Sequence, residues 1–154
     1  MSEPVDYPRP VEDADNEAFL EAWRQGALRL QHCRRCRRSI FYPRPVCPHC
    51  WSDDLEWQMA SGEGEVVSFS RVYRPNHRAF DDEIPVVLAE IRLAEGATLL
   101  ARILGDPAQV RSKARIQLTR NDWRGRRLPL PAFRLTIDRA DEDRAQPGGD
   151  PGSG

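Results

Sequence analysis

The cysteines constrain this chain more than anything else in it. Cys33, Cys36, Cys47 and Cys50 are the only 4 in the sequence, and they form two C-x-x-C pairs. Thiolates two residues apart reach one ion because the tight turn between them aims both sulfurs inward. Two such knuckles complete the tetrahedron that zinc accepts in closed structural sites. The stretch between Cys36 and Cys47 is long enough for an outward and a return strand. Such clustering in a reducing compartment points to metal ligation rather than disulfides. Iron can occupy the same four thiolates. A redox dithiol needs a C-x-x-C at a helix N-terminus within a βαβ pattern, and neither pair has that setting. A catalytic zinc keeps one position open to water. Four thiolates leave none, so His32 and His49 are expected as neighbours of the site, solvated or bonded to sulfur. Arg37 and Trp51 follow the two pairs, where ribbons often carry a glycine that tolerates left-handed backbone.

The flanking sequence sorts into regions by texture. Residues 1–12 are proline-rich and polar, and an extended arm is expected. Residues 13–25 read as a helix capped by Asp13 or Asp15, whose short side chains can accept from first-turn amides. Gly26 is its natural stop. Phe19 and Trp23 sit four apart on one face with Ala22 beside them. So short a helix is marginal alone and must dock that stripe on something; a partner protein is one candidate. Residues 1–27 thus form an arm and docking helix, and 28–60 a ribbon. Its expected strands lie around Leu28–Leu30, Ile40-Phe41-Tyr42 and Leu55-Glu56-Trp57.

After Ser61-Gly62-Glu63-Gly64 the pattern turns to β. Strands are expected near 65–74, 86–93, 98–104, 115–121 and 132–137, with Val67, Phe69, Arg71 and Tyr73 sharing one face of the first. Glu95-Gly96 marks a hairpin. Mainly β structure with five short strands suggests a small barrel over 61–138, and the five-stranded oligonucleotide/oligosaccharide-binding (OB) barrel matches in size. Pro75 to Pro85 reads as a long polar loop. Residues 139–154 are rich in Asp, Gly and Pro, the composition of a disordered tail.

Charge and composition narrow the function classes. The formal net charge is −1, so bulk charge does not favour polyanions. Basic residues are nevertheless clustered. From Arg24 to Ser52 there are arginines at 24, 29, 34, 35, 37, 38 and 44 and no acid, and a second basic run lies between Arg111 and Arg127. Arginine favours bidentate contacts to phosphates or carboxylates; a plain solvated surface has the same composition. A nucleic-acid module would need stacking aromatics in a basic groove. Phe69, Tyr73 and Trp123 are available, but aromatics are only 8% of residues, so this is the alternative reading and not the first. No catalytic triad or glycine-rich nucleotide loop is legible; His77 with Asp81 or Asp82 is thin material for a hydrolase. No apolar run is long enough for a membrane span, and the acidic N-terminus does not resemble a secretory signal. A cytoplasmic protein is expected. A barrel this small is also expected to have little room for a deep apolar pocket of its own.

Taken in order, these stretches resemble one family across residues 14–137. The matching pieces are Phe19-Leu20-Glu21-Ala22-Trp23, then Leu28 to Cys36, then Phe41-Tyr42-Pro43-Arg44-Pro45-Val46-Cys47-Pro48-His49-Cys50. They continue through Asp54-Leu55-Glu56-Trp57, Ser61 to Val66, Ser68-Phe69-Ser70 and Pro85 to Ile91. The pattern is similar to acyl-CoA-associated proteins that join a helix, a rubredoxin-like zinc ribbon and an OB-fold barrel, long catalogued as a domain of unknown function. One stretch departs from it: Val110 to Ala114 stands where a small glycine-containing turn is expected. The resemblance implies a non-catalytic partner of a thiolase-like protein, in thiolysis, condensation, acyl transfer or retro-aldol cleavage of acyl-CoA side chains such as those of steroids. It implies zinc as cofactor, with acyl-CoA at the shared interface. In that setting Phe19 and Trp23 would meet the partner, and Arg44, His77 and Phe80 would lie near the CoA substrate.

Overall fold

The structure is a computed structural model and describes residues 5–136 of the chain. The final residue of the last expected strand and the expected tail lie outside the described residues.

The helix α1 spans Glu17–Arg24. It is preceded by a turn in which Asp13 Oδ1 accepts from the Asn16 amide and Asn16 Oδ1 accepts from the Asp13 amide, both at 2.9 Å. This reciprocal box is a capping device that satisfies orphan donors at a helix entrance. It makes Asp13 the residue that organises the start. At the other end Gly26 has φ +81°, with its amide bonded to Trp23 O and the Ala27 amide to Ala22 O. That pair of bonds is the Schellman closure. The stripe of Phe19, Leu20, Ala22 and Trp23 is buried.

Three strands form the ribbon sheet: β1 (Arg29–Cys33), β2 (Ser39–Ile40) and β3 (Leu55–Met59), in the order β2-β1-β3 and antiparallel throughout. The barrel follows with β4 (Glu63–Val72), β5 (Val86–Leu93), β6 (Thr98–Leu104) and β7 (Arg115–Leu118). A small hairpin, β8 (Asp122–Trp123) with β9 (Arg126–Arg127), precedes the last strand, β10 (Ala132–Leu135). The barrel closes in the order β10-β6-β5-β4-β7, with β10 parallel to β6 and antiparallel to β7. This is the five-stranded OB topology. β5 alternates strictly between core and solvent after Val86, so Val87, Ala89, Ile91 and Leu93 fill the interior with Val66, Ile103, Ile116 and Phe133.

Several local features differ from the sequence expectation. A β-bulge between Val66 and Ser68 inserts an unpaired residue into β4. The expected shared face of Val67, Phe69, Arg71 and Tyr73 is therefore broken. Val66 enters the core, Phe69 packs at its edge and Tyr73 is 63% exposed. β7 stops at Leu118 because the chain turns into β8–β9, whose turn residues Arg124 and Gly125 both have positive φ, as a two-residue type I′ hairpin requires. At 110–114 the missing glycine is replaced by Lys113 at φ +67°, its amide bonded to Val66 O at 2.7 Å. The polar loop before β5 contains a 3-10 helix, Arg78–Glu83, capped by His77.

The helix stripe docks within the chain. Phe19 and Leu20 pack with the barrel core, while Trp23 packs with Tyr7, Leu104, Leu128 and Ala132. Trp23 Nε1 donates to Leu128 O at 2.8 Å. Phe19 is 5% exposed and Trp23 1%, so both side chains are packed inside this chain.

β4 and β5 pack closely enough to exclude a side chain at Gly64. A Cβ there would lie 2.5 Å from Arg92 O, a backbone atom that cannot step aside. Gly64→Ala is expected to destabilise the fold by about 1–3 kcal/mol, as overpacking does, read as a lowered urea midpoint with unchanged m-value.

Candidate functional site

Each C-x-x-C pair is held in a tight turn by the backbone. The Arg37 amide donates to Cys33 O and the Cys33 amide to Arg38 O; the Trp51 amide donates to Cys47 O and the Cys47 amide to Ser52 O. The two knuckles are thus built alike. They place all four Sγ atoms within 4.8 Å of one another, with Cys33–Cys50 and Cys36–Cys47 separations of 3.6 Å. A tetrahedral ion with sulfur at about 2.3 Å has sulfur–sulfur edges of about 3.8 Å. The residues fit a single tetrahedral metal and are all free thiols. Hydrogen bonds from the Cys36 and Arg35 amides hold the Cys33 thiol down at about 7, whereas burial pushes Cys36 up to about 11. One thiolate forms readily, and gathering the rest at such separations calls for a cation. His49 is not part of this set: its amide donates to Cys47 Sγ at 3.3 Å and its Nδ1 lies 3.2 Å from Arg38 Nη1.

The knuckles require left-handed backbone at the residue after each pair. Arg37 has φ +62° and Trp51 φ +64°, so both adopt it without glycine. This conformation costs an L-residue about 1–2 kcal/mol. Arg37→Gly and Trp51→Gly are each expected to raise stability by up to about 1 kcal/mol once the greater chain entropy of glycine is deducted. Thermal unfolding of the metal-loaded protein checks this.

The basic ribbon is partly neutralised by the fold. Arg34 pairs with Asp54 and Glu56, because β3 runs antiparallel beside β1. Arg44 exchanges two backbone bonds with the Gln31 side chain and sends its own Nε to Tyr42 O. It stands on the ribbon and does not line the groove that holds the other two residues expected near substrate.

His77 and Phe80 do meet. Both line a groove of about 510 Å³ on the outside of the barrel, over β5 and β6, walled by the segment before β5 and by residues 128–132. The barrel interior is filled by the core, and this groove lies on its outer face. Phe80 stacks near Tyr7, with ring centroids 5.2 Å apart. His77 Nδ1 accepts from the Ala79 amide at 3.1 Å, which ties the ring to the start of the 3-10 helix. Of the aromatics considered for base stacking, Phe69 carries Arg71 on its ring and Trp123 carries Arg102 and Arg124, at 4.8 and 4.3 Å. Tyr73 is 63% exposed.

A buried charge network underlies the groove. Glu83, 7% exposed, receives Arg102 Nη1 at 3.1 Å and Arg126 Nη2 at 2.7 Å, and it accepts from the Tyr7 hydroxyl. Burial and this carboxylate raise the Tyr7 pKa. Arg126 also donates to Val5 O and Ala79 O. The sequence reading missed the network because its members lie far apart in the chain, at 7, 83, 102 and 126. An acid flanked by polar loop residues gives no local signal of burial.

A four-thiol knuckle pair carried beside an OB barrel, with a helix bridging them, defines a zinc-ribbon OB-fold class of protein. Residues 20–56 match the family model for the ChsH2 rubredoxin-like zinc ribbon domain, and residues 57–119 that for the ChsH2 C-terminal OB-fold domain. A probable enoyl-CoA hydratase alpha subunit of Thermomonospora curvata is 35% identical over 133 residues, 84% of this chain and 40% of that protein. The benzoylsuccinyl-CoA thiolase subunit BbsA of Geobacter metallireducens is 26% identical, covering 66% of this chain and 68% of the relative. Among solved structures, a chain of the Ltp2-ChsH2(DUF35) aldolase superposes with a TM-score of 0.71 at 34% identity, covering 84% of this chain and all of that one. The chain belongs to this ChsH2/DUF35 family. It spans less than half the length of the Thermomonospora protein. No helix among the described residues is long and apolar enough to cross a membrane.

Proposed function

We propose that this chain is a non-catalytic subunit of a thiolase-like acyl-CoA enzyme. The partner would act as a thiolase, an acyltransferase or a retro-aldolase on acyl-CoA side chains such as those of steroids. This chain stabilises the partner and helps enclose the CoA substrate. Cys33, Cys36, Cys47 and Cys50 hold one structural zinc, which positions the ribbon against the barrel. His77 and Phe80 border the substrate's path, and Arg44 serves the ribbon side of the interface. Family membership carries the reading, together with relatives described as a thiolase subunit and as part of an aldolase with a second protein. The closed four-sulfur centre supports it too, since a saturated tetrahedron has a structural role and leaves no open position for chemistry.

The test is purification of the tagged chain from its native host, followed by mass spectrometry. A stoichiometric thiolase-like chain is the expected companion. Recovery alone or with nucleic acid, with the metal intact, overturns the reading. For the zinc, elemental analysis is expected to find about one ion per chain. Cys36→Ser and Cys47→Ser are expected to lose it along with solubility. A variant that sheds the metal yet keeps its fold and partner contradicts the structural role.

A further inference from the structure

The groove beside His77 and Phe80 has a chemistry that the subunit role does not require. It occupies the face that OB barrels use for ligands, over the second and third barrel strands between the loops that flank them. Its surface is unlike that of a polynucleotide site. Leu88, Leu100 and Leu130 are 37%, 69% and 48% exposed there, and Pro75, Pro129 and Pro131 stiffen its walls. Its rings, Tyr7, His77 and Phe80, are gathered at one wall, with Tyr7 and Phe80 packed on each other, and are not spaced along a basic track as a run of bases needs.

Among the described residues, the charge in the groove lining is one-sided: the lining contains Arg74 and Arg102 and no aspartate or glutamate. Among the described residues, Arg102 pairs with one carboxylate, Glu83, and shares it with Arg126. Two guanidinium groups on one carboxylate leave a positive surplus. The Arg102 side chain is only 12% exposed, and its Nε is buried without a partner. Asp82 borders a separate cavity, which Arg102 and Arg124 also reach. Arg74 is exposed and makes no ion pair among the described residues. An uncompensated cation at the edge of an apolar, poorly hydrated surface gains from an added anion far more than one in open water does.

We propose that this groove binds a small amphipathic anion, a hydrocarbon or ring body carrying one carboxylate, on the isolated chain. The apolar body lies along Leu88, Leu100 and Leu130, and the carboxylate faces Arg74 and Arg102. A volume of about 510 Å³ is within the range of small-molecule pockets. The inference does not rest on the partner complex, since every group it uses belongs to this chain.

The experiment titrates the metal-loaded full chain with decanoate, 1-decanol and decylammonium, followed by calorimetry and amide chemical shifts. Decanoate is expected to bind at least tenfold more tightly than either analogue, as a charge-assisted hydrogen bond is worth, with shifts confined to β5, β6 and residues 128–132. Leu100→Glu, on an exposed position, is expected to abolish binding, and Arg74→Met to weaken decanoate about threefold or more while leaving decanol unchanged. Equal affinity for decanoate and decanol overturns the proposal, because the groove is then merely apolar. No binding of any probe up to about 1 mM also overturns it. Neither result bears on whether a thiolase-like chain co-purifies.

Discussion

Around Cys33 and Cys47 the buried ribbon cluster contains only Ile40, with Leu55 and the other two cysteines packed at its edge. Three short strands with so little apolar material cannot hold themselves together by burial, because a sheet of that size leaves most of its surface in water. Sulfur atoms meeting at one point are what the ribbon has in place of a core. The rest of the molecule depends on that meeting. It sets the relative placement of β1 and β3, and β1 carries Leu30 into the barrel's apolar cluster. The backbone accepts left-handed geometry at Arg37 and Trp51 to bring the sulfurs together.

The helix and the N-terminal arm then join ribbon to barrel by different physics. On one side, α1 buries Phe19 against Phe41 of the ribbon and against the barrel core, a mostly apolar contact. On the other, Trp23 and Tyr7 combine apolar packing with a hydrogen bond each, to Leu128 O and to Glu83. The second junction surrounds a buried carboxylate with two arginines, and it also forms one wall of the groove. Buried ion pairs of this sort contribute less to stability than to holding one arrangement, since desolvation offsets most of their attraction. The effect here is geometric: the segments carrying Tyr7, Arg102 and Arg126 meet the one carrying Glu83, and the groove lies beside that junction.

Much of this was legible in the chain because it is written in short-range patterns. Cysteine spacing identifies the ribbon, alternation identifies β5 and β6, and Gly26 and Gly96 mark the helix stop and the hairpin with positive φ in both cases. The failures have one cause. The bulge in β4, the hairpin β8–β9 and the left-handed Lys113 are choices made by closing the barrel. Register in β4 has to satisfy β5 and β7 together, and no window along one strand contains that condition.

By itself the sequence determined a four-thiol ribbon followed by a five-stranded β unit, since ligand spacing and two-residue periodicity act over a few residues. Tertiary structure decided where Phe19 and Trp23 are buried, and it decided that Tyr7, Glu83, Arg102 and Arg126 share one site. It also decided that His77 and Phe80 border an apolar groove while Arg44 stands apart on the ribbon. Those outcomes depend on the burial of groups distant along the chain, where desolvation and charge pairing act through space and leave no periodic trace in the order of residues.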